Sequence, residues 1–200
     1  MKISTVIRRS AVVTGAFILM FFSFRSMSSQ ETPGGDGGIR FTTDNRLVFP
    51  ADYREWTFLS AGRGMSYGPS ADRTGPAVFD NVFVNPAAYR AFLKTGSWPE
   101  RTIFVLEIRD AATEGSINKG GRFQKDIRGV EVEVKDQRFT STRRWAFFAF
   151  GTDQEPAAQI PGDAGCYTCH RANGAVEQTF VQFYPTLLPV ARAQHTLKER

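Results

Sequence analysis

Residues 166–170 read Cys-Tyr-Thr-Cys-His, and any fold for this chain must present that pentapeptide to one ligand. Two thiols three positions apart, with a histidine directly after the second, form the attachment pattern of a c-type haem. On a helical turn, residues three apart lie on one face. Cys166 and Cys169 then reach the two vinyl groups on one porphyrin edge, and His170 projects its imidazole toward the iron as proximal ligand. Other chemistries of paired cysteines fit less well. A zinc site needs four ligands and spaces its histidines apart, but His170 abuts Cys169 and the only other histidine is His195. A thioredoxin-like pair follows a strand in a βαβ setting, whereas this one follows a Pro- and Gly-containing loop over residues 155–165. A disulfide between thiols this close in sequence is strained.

The amino terminus has the pattern of an export signal. Lys2, Arg8 and Arg9 precede an uncharged apolar run over residues 11–24, and Ser26-Met27-Ser28 offers small residues for cleavage. The run is shorter than the about 20 residues of a comfortable membrane span. Arg25 directly after it also leaves an uncleaved membrane anchor open. The expected location is therefore periplasmic or otherwise exported. Removing residues 1–28 corrects the charge: the full chain carries +5, but the remainder holds 21 basic and 20 acidic residues, about +1. With no basic block left, nucleic-acid binding has no support. Both cysteines lie in the haem motif, so no disulfide framework is available.

Residues 29–44 contain Pro-Gly-Gly-Asp-Gly-Gly and read as a flexible tether. Residues 45–200 are long enough for one domain. Strands are expected over residues 55–61, 77–84, 101–109, 127–135 and 144–150. In the fourth, Val130, Val132 and Val134 alternate with Glu131, Glu133 and Lys135. The fifth, Arg-Trp-Ala-Phe-Phe-Ala-Phe, is apolar on both faces and is expected to be a central strand. A helix is expected over residues 86–94, with Pro86 at its start and Gly96 as its cap. The haem helix is expected over residues 164–172 and a last helix over 184–197, started or kinked by Pro189. The fold class is α+β: mainly antiparallel sheet with a C-terminal haem-bearing helix, in a single domain.

In this setting the chain resembles the cytochrome P-460 and cytochrome c′-β family. The resemblance covers residues 47–193. It rests on Asp52-Tyr53-Arg54-Glu55-Trp56, on Val82-Phe83-Val84-Asn85-Pro86 with Tyr89, and on Lys94-Thr95-Gly96. Gly129-Val130-Glu131, Val134-Lys135-Asp136 and Trp145-Ala146-Phe147 follow, and Phe180, Phe183, Tyr184 and Pro185 lie behind the haem motif. The resemblance implies one covalent haem, a five-coordinate iron with an open distal face, and a homodimer. It also implies one of two chemistries. Members of the P-460 type carry a lysine bonded to the macrocycle and oxidise hydroxylamine. Members of the c′-β type lack that bond and bind nitric oxide and similar ligands. The position of the lysine corresponds here to Leu106; no lysine falls within residues 101–109, and Lys94 and Lys119 lie outside the strand.

Candidate site residues follow. His170 is the iron ligand, with Cys166 and Cys169 as the covalent attachments. His195 and Met65 are the candidates for a sixth ligand in a plain electron carrier with a redox partner protein. Glu131 corresponds to a carboxylate that the family places near the distal pocket and is the candidate proton acceptor; the alternative is an exposed strand face shared with Glu133 and Lys135. Phe58, Phe83, Phe104, Phe147 and Phe148 are candidates for an aromatic pocket wall or for ordinary core. Arg122, Arg128, Arg143 and Arg144 are candidates for the haem propionates, since guanidinium suits bidentate carboxylate contact.

Overall fold

Alternating side chains and regularly placed turn residues fold the chain into one antiparallel sheet. The computed structural model describes residues 38–65 and 78–198. Its strands are β1 Thr57–Arg63, β2 Val78–Val84, β3 Ile103–Ala112, β4 Phe123–Lys135 and β5 Trp145–Gly151. They pair in sequence order, β1-β2-β3-β4-β5, each antiparallel to the last. Helix α1 (Pro86–Thr95) joins β2 to β3, and α2 (Gly165–Asn173) and α3 (Leu188–Ala193) follow β5. This is the expected α+β single domain. The expected signal segment, residues 1–28, lies outside the described residues, as does the tether up to residue 37. From Gly38 on, the expected tether is packed instead: Ile39 is buried, and the Phe41 ring sits edge-on to Phe148.

Because side chains alternate across a strand, the register divides the residues of the sheet into two sets. Val105 pairs with Val132, and Val132 with Phe148. This face also carries Ile103, Val130 and Val134, and it packs against Leu47, Phe49, Tyr53 and Trp56 from the segment before β1. The other face carries Val84, Phe104 and Trp145, and it packs against Ala88 and Phe92 of α1 and against Leu187 and Ala191. Glu131 lies across from Leu106 and Ala149, and Glu133 across from Phe104 and Phe147. Both carboxylates therefore belong to the second face.

Helix α1 has Pro86 in its first turn and ends on Gly96 at φ 68, where glycine avoids a Cβ penalty. A side chain there would also lie 2.9 Å from Thr196 Oγ1, whose hydroxyl donates to Gly96 O at 2.7 Å. The last helix is shorter than expected. Pro189 lies in its first turn, and the chain turns away at His195 with φ 53. Strand β5 is an edge strand, not a central one. Its two apolar faces have separate causes: Ala146, Phe148 and Phe150 enter the first core, and Trp145 the second. Its free edge is partly covered, since Ile160 N–H donates to Phe147 O at 2.8 Å.

One buried ionic hub ties the first face together. Glu107, 3% exposed, accepts hydrogen bonds from Tyr53 Oη at 2.5 Å, Arg54 Nη2 at 2.8 Å, Arg109 Nε at 2.5 Å and Asn81 Nδ2 at 3.2 Å. Burial alone would raise its carboxyl, but the bonds from Arg109, Tyr53 and Arg54 outweigh burial and bring it down to about 2. Glu107→Ala strands these donors and is expected to cost about 3 kcal/mol in urea unfolding. Because the folded value lies below the ordinary 4.5, the hub stabilises fully above that pH. Its contribution should fade as pH falls toward 2, and the Glu107→Ala variant should lack that part of the acid transition.

Candidate functional site

Helix α2 places the motif against the second face of the sheet. Its one buried side chain is Tyr167, which fastens the helix to β5. The Tyr167 hydroxyl donates to Ile160 O at 3.1 Å and accepts from Phe147 N–H at 3.3 Å and Gln159 Nε2 at 3.1 Å. Its ring meets Phe147 edge-on at 4.7 Å. Cys166 and Cys169 are both free thiols, partly exposed. Burial pushes the Cys166 thiol up, and the nearby Glu131 and Glu133 charges add to that.

His170 is held on three sides. Its ring lies between Phe147, at 4.6 Å, and Phe180, at 4.4 Å. Nδ1 is 2.8 Å from Gln178 O and 3.5 Å from Glu133 Oε1. With the proton on Nδ1 directed at the Gln178 carbonyl, the lone pair is on Nε2, as a metal-bound imidazole requires. Among the described residues, Nε2 has no hydrogen-bond partner. Burial alone would lower the imidazole, but Glu133 and Gln178 O outweigh it and hold it above its ordinary value. Glu133 itself is pushed up by burial, with His170 pulling the other way.

The Gln178 carbonyl is positioned by its neighbours. Glu177 accepts from Lys135 Nζ at 2.7 Å and Trp145 Nε1 at 3.2 Å. Gln178 Nε2 donates to Thr142 O at 3.2 Å, and Trp98 Nε1 donates to Thr179 Oγ1 at 2.8 Å. Three consecutive side chains thus fix one backbone carbonyl. Gly174 permits the turn that returns the chain to α2. A Cβ there would lie 2.7 Å from Gln178 C and 2.8 Å from His170 O, too close for any side chain.

Of the candidates from sequence, the structure brings Cys166, Cys169, His170 and Phe147 together, with Glu131 within electrostatic reach of Cys166 and His170. Glu131 is exposed, beside half-buried Leu106 and exposed Ala149. This end of the second face, which also carries Asp80 across from Ile108, is left partly exposed among the described residues. Phe104 lies instead in the cluster under α1 and α3, against Trp98, Trp145 and Tyr184. Phe83 and Phe148 belong to the opposite core, and Phe58 is 53% exposed beside Phe83. Arg122 is in the exposed β3–β4 loop, Arg128 pairs with Asp110, and Arg144 pairs with Glu100 at 2.7 Å. Arg143 is exposed in the turn before β5 at φ 58. His195 is exposed in the turn after α3, and Met65 Sδ packs over Gly62 of β1. Sequence reasoning missed Glu133, Gln178 and Tyr167. Their only signal was position: Glu133 two residues from Glu131 on one strand face, and Gln178 eight after the ligand.

An α+β domain with a CxxCH helix laid on one sheet face, its histidine held through Nδ1 by a backbone carbonyl, defines a class of haem-binding cytochromes. The Cytochrome P460 family model matches residues 50–181, two thirds of the chain, and the chain belongs to that family. A comparison with curated proteins finds no match. The donor set fits the haem that this family implies: an imidazole whose Nε2 has no hydrogen-bond partner among the described residues, two free thiols on one helix, and a partly exposed sheet face beside them.

Gly174→Ala is expected to lower the stability of the holoprotein by about 1–3 kcal/mol, because backbone must move to admit the methyl group. Gly120→Ala, whose Cβ meets open space, serves as the control. Urea unfolding followed by haem absorbance and by tryptophan fluorescence measures both.

Proposed function

We infer that this chain is an exported cytochrome with one haem c, attached through Cys166 and Cys169 and ligated by His170, whose other iron face binds small nitrogen ligands such as nitric oxide. One observation carries this reading. The His170 imidazole is fixed by Gln178 and flanked by Phe147 and Phe180; of the two candidates for a sixth ligand, His195 lies outside this packing, and Met65 lies on the same sheet face but at the β1 end, over the Gly62–Asp80 pair. Met65 covers Gly62, and His195 is exposed beyond α3. Bound haem supplies an iron that takes diatomic ligands when ferrous and hydroxylamine when ferric. The protein's part would be to hold the His170 imidazole toward the iron and to pack phenylalanine beside it.

Hydroxylamine oxidation is the second reading, and exposed Glu131 at the open end of the site favours it as a proton acceptor. Against it stands the lysine count on this sheet face. Position 106 is leucine, Lys94 ends α1 and Lys119 lies in the β3–β4 loop. Lys135 is tied to Glu177 and to Trp98 O. A homodimer is part of the proposal, with edge strand β1 and its exposed Phe58 as the contact surface. Export is proposed from residues 1–28; among the described residues no helix is long and apolar enough to cross a membrane.

Protein made in a host that matures cytochromes should have an intact mass of polypeptide plus one haem. The Cys166→Ala/Cys169→Ala variant should show the polypeptide alone. The ferrous protein should take one nitric oxide per haem, without steady-state turnover of hydroxylamine in the presence of an electron acceptor. Turnover that falls about 100-fold or more in Glu131→Gln would instead establish the second reading.

A further inference from the structure

Glu133 is an ionisable group where the fold has no structural need for one. It lies on β4 between Phe104 and Phe147, is 9% exposed, and its Oε1 has no hydrogen-bond partner among the described residues. The other charged side chains of β4 on this face are accounted for: Glu131 is exposed, and Lys135 is paired with Glu177. An unpaired buried carboxylate is costly, and an apolar side chain would pack at this position. Among the described residues, the one basic side chain within ion-pair range of Oε1 is that of His170, whose Nδ1 is 3.5 Å away. That is longer than a hydrogen bond, and Nδ1 already has the Gln178 carbonyl at 2.8 Å. The carboxylate thus acts on the imidazole through its charge, at short range and in a water-poor setting where charge is weakly screened.

The geometry points to Glu133 as the positioning residue that sets the electron-donating power of His170 toward the iron. A carboxylate behind a metal-bound histidine raises the basicity of the ligating nitrogen. It also offsets the net positive charge of ferric haem, so the ferric form is favoured over the ferrous and the iron–imidazole bond is strengthened. The backbone carbonyl fixes the direction of the ring, and the carboxylate fixes its charge. This inference rests on the proposed function for the assignment of His170 to the iron. It adds a determinant of redox potential on the side of the haem away from any bound ligand.

The test compares the wild-type holoprotein with Glu133→Gln and Glu133→Asp by spectroelectrochemistry and by resonance Raman of the ferrous form. Glu133→Gln keeps the shape and removes the charge. It is expected to shift the ferric/ferrous equilibrium about tenfold toward ferrous, 59 mV upward for one electron, and to lower the iron–histidine stretching frequency. Glu133→Asp, which keeps the charge but withdraws it by one methylene, is expected to fall between the two. If Glu133→Gln does not mature with haem, Glu133→Asp against wild type decides: an upward shift with a lower frequency supports the inference, and unchanged values overturn it. A wild-type iron–histidine band that is present but insensitive to Glu133 overturns this inference alone. A holoprotein with no such band overturns the proposed function with it.

Discussion

The bond between His170 Nδ1 and the Gln178 carbonyl is the constraint on which the site depends. A histidine on a solvent-facing helix can rotate and exchange tautomers, and either change would turn the wrong nitrogen toward a metal. Here the ring is directed by a backbone carbonyl that its own side chain cannot displace. The carbonyl is in turn directed by Glu177, Gln178 and Thr179, which grip Lys135, Trp145, Thr142 and Trp98. Those partners belong to the sheet and its connecting loops. The rigidity of the antiparallel sheet is thereby transmitted to one nitrogen atom.

The sheet serves this purpose because its register separates two tasks. One face is an ordinary core, closed by the segment before β1 and clamped at one end by the Glu107 hub. The other face is divided along its length. Near Val84, Phe104 and Trp145 it is covered by α1, α3 and the chain between α2 and α3. Near Leu106, Glu131 and Ala149 the described residues leave it partly exposed. The same strand, β4, supplies a buried carboxylate at one position and an exposed one two residues earlier. Neither sequence alternation nor composition distinguishes the two; only the partial cover does.

That contrast explains what was legible beforehand. The CxxCH motif, the alternation of Val130, Val132 and Val134, and the Pro86-to-Gly96 helix are local patterns, and local chemistry dictates them. Residues whose meaning depends on distant packing were not legible. The apolar character of β5 matched a central strand because cores on both faces leave the same composition as burial inside a sheet. Phe104 and Phe147 carry the same alternation signal, yet only Phe147 touches His170, since α2 crosses the sheet at β5. Arg144 is taken by Glu100, a partner on the α1–β3 connection that no sequence pattern announces. Gln178 meets the imidazole through its backbone carbonyl, so its side-chain type did not announce that contact.

The proposed function gives the haem iron a single imidazole nitrogen, that of His170, and no second protein ligand. Electron paramagnetic resonance of the purified ferric holoprotein at low temperature, with the matching absorption spectrum, tests it most directly. A high-spin, axial signal from a five-coordinate iron is the predicted result. A low-spin signal from the wild-type protein would contradict the claim: its loss when Met65 and His195 are replaced would name one of them as the sixth ligand, and its persistence would assign that place to another side chain.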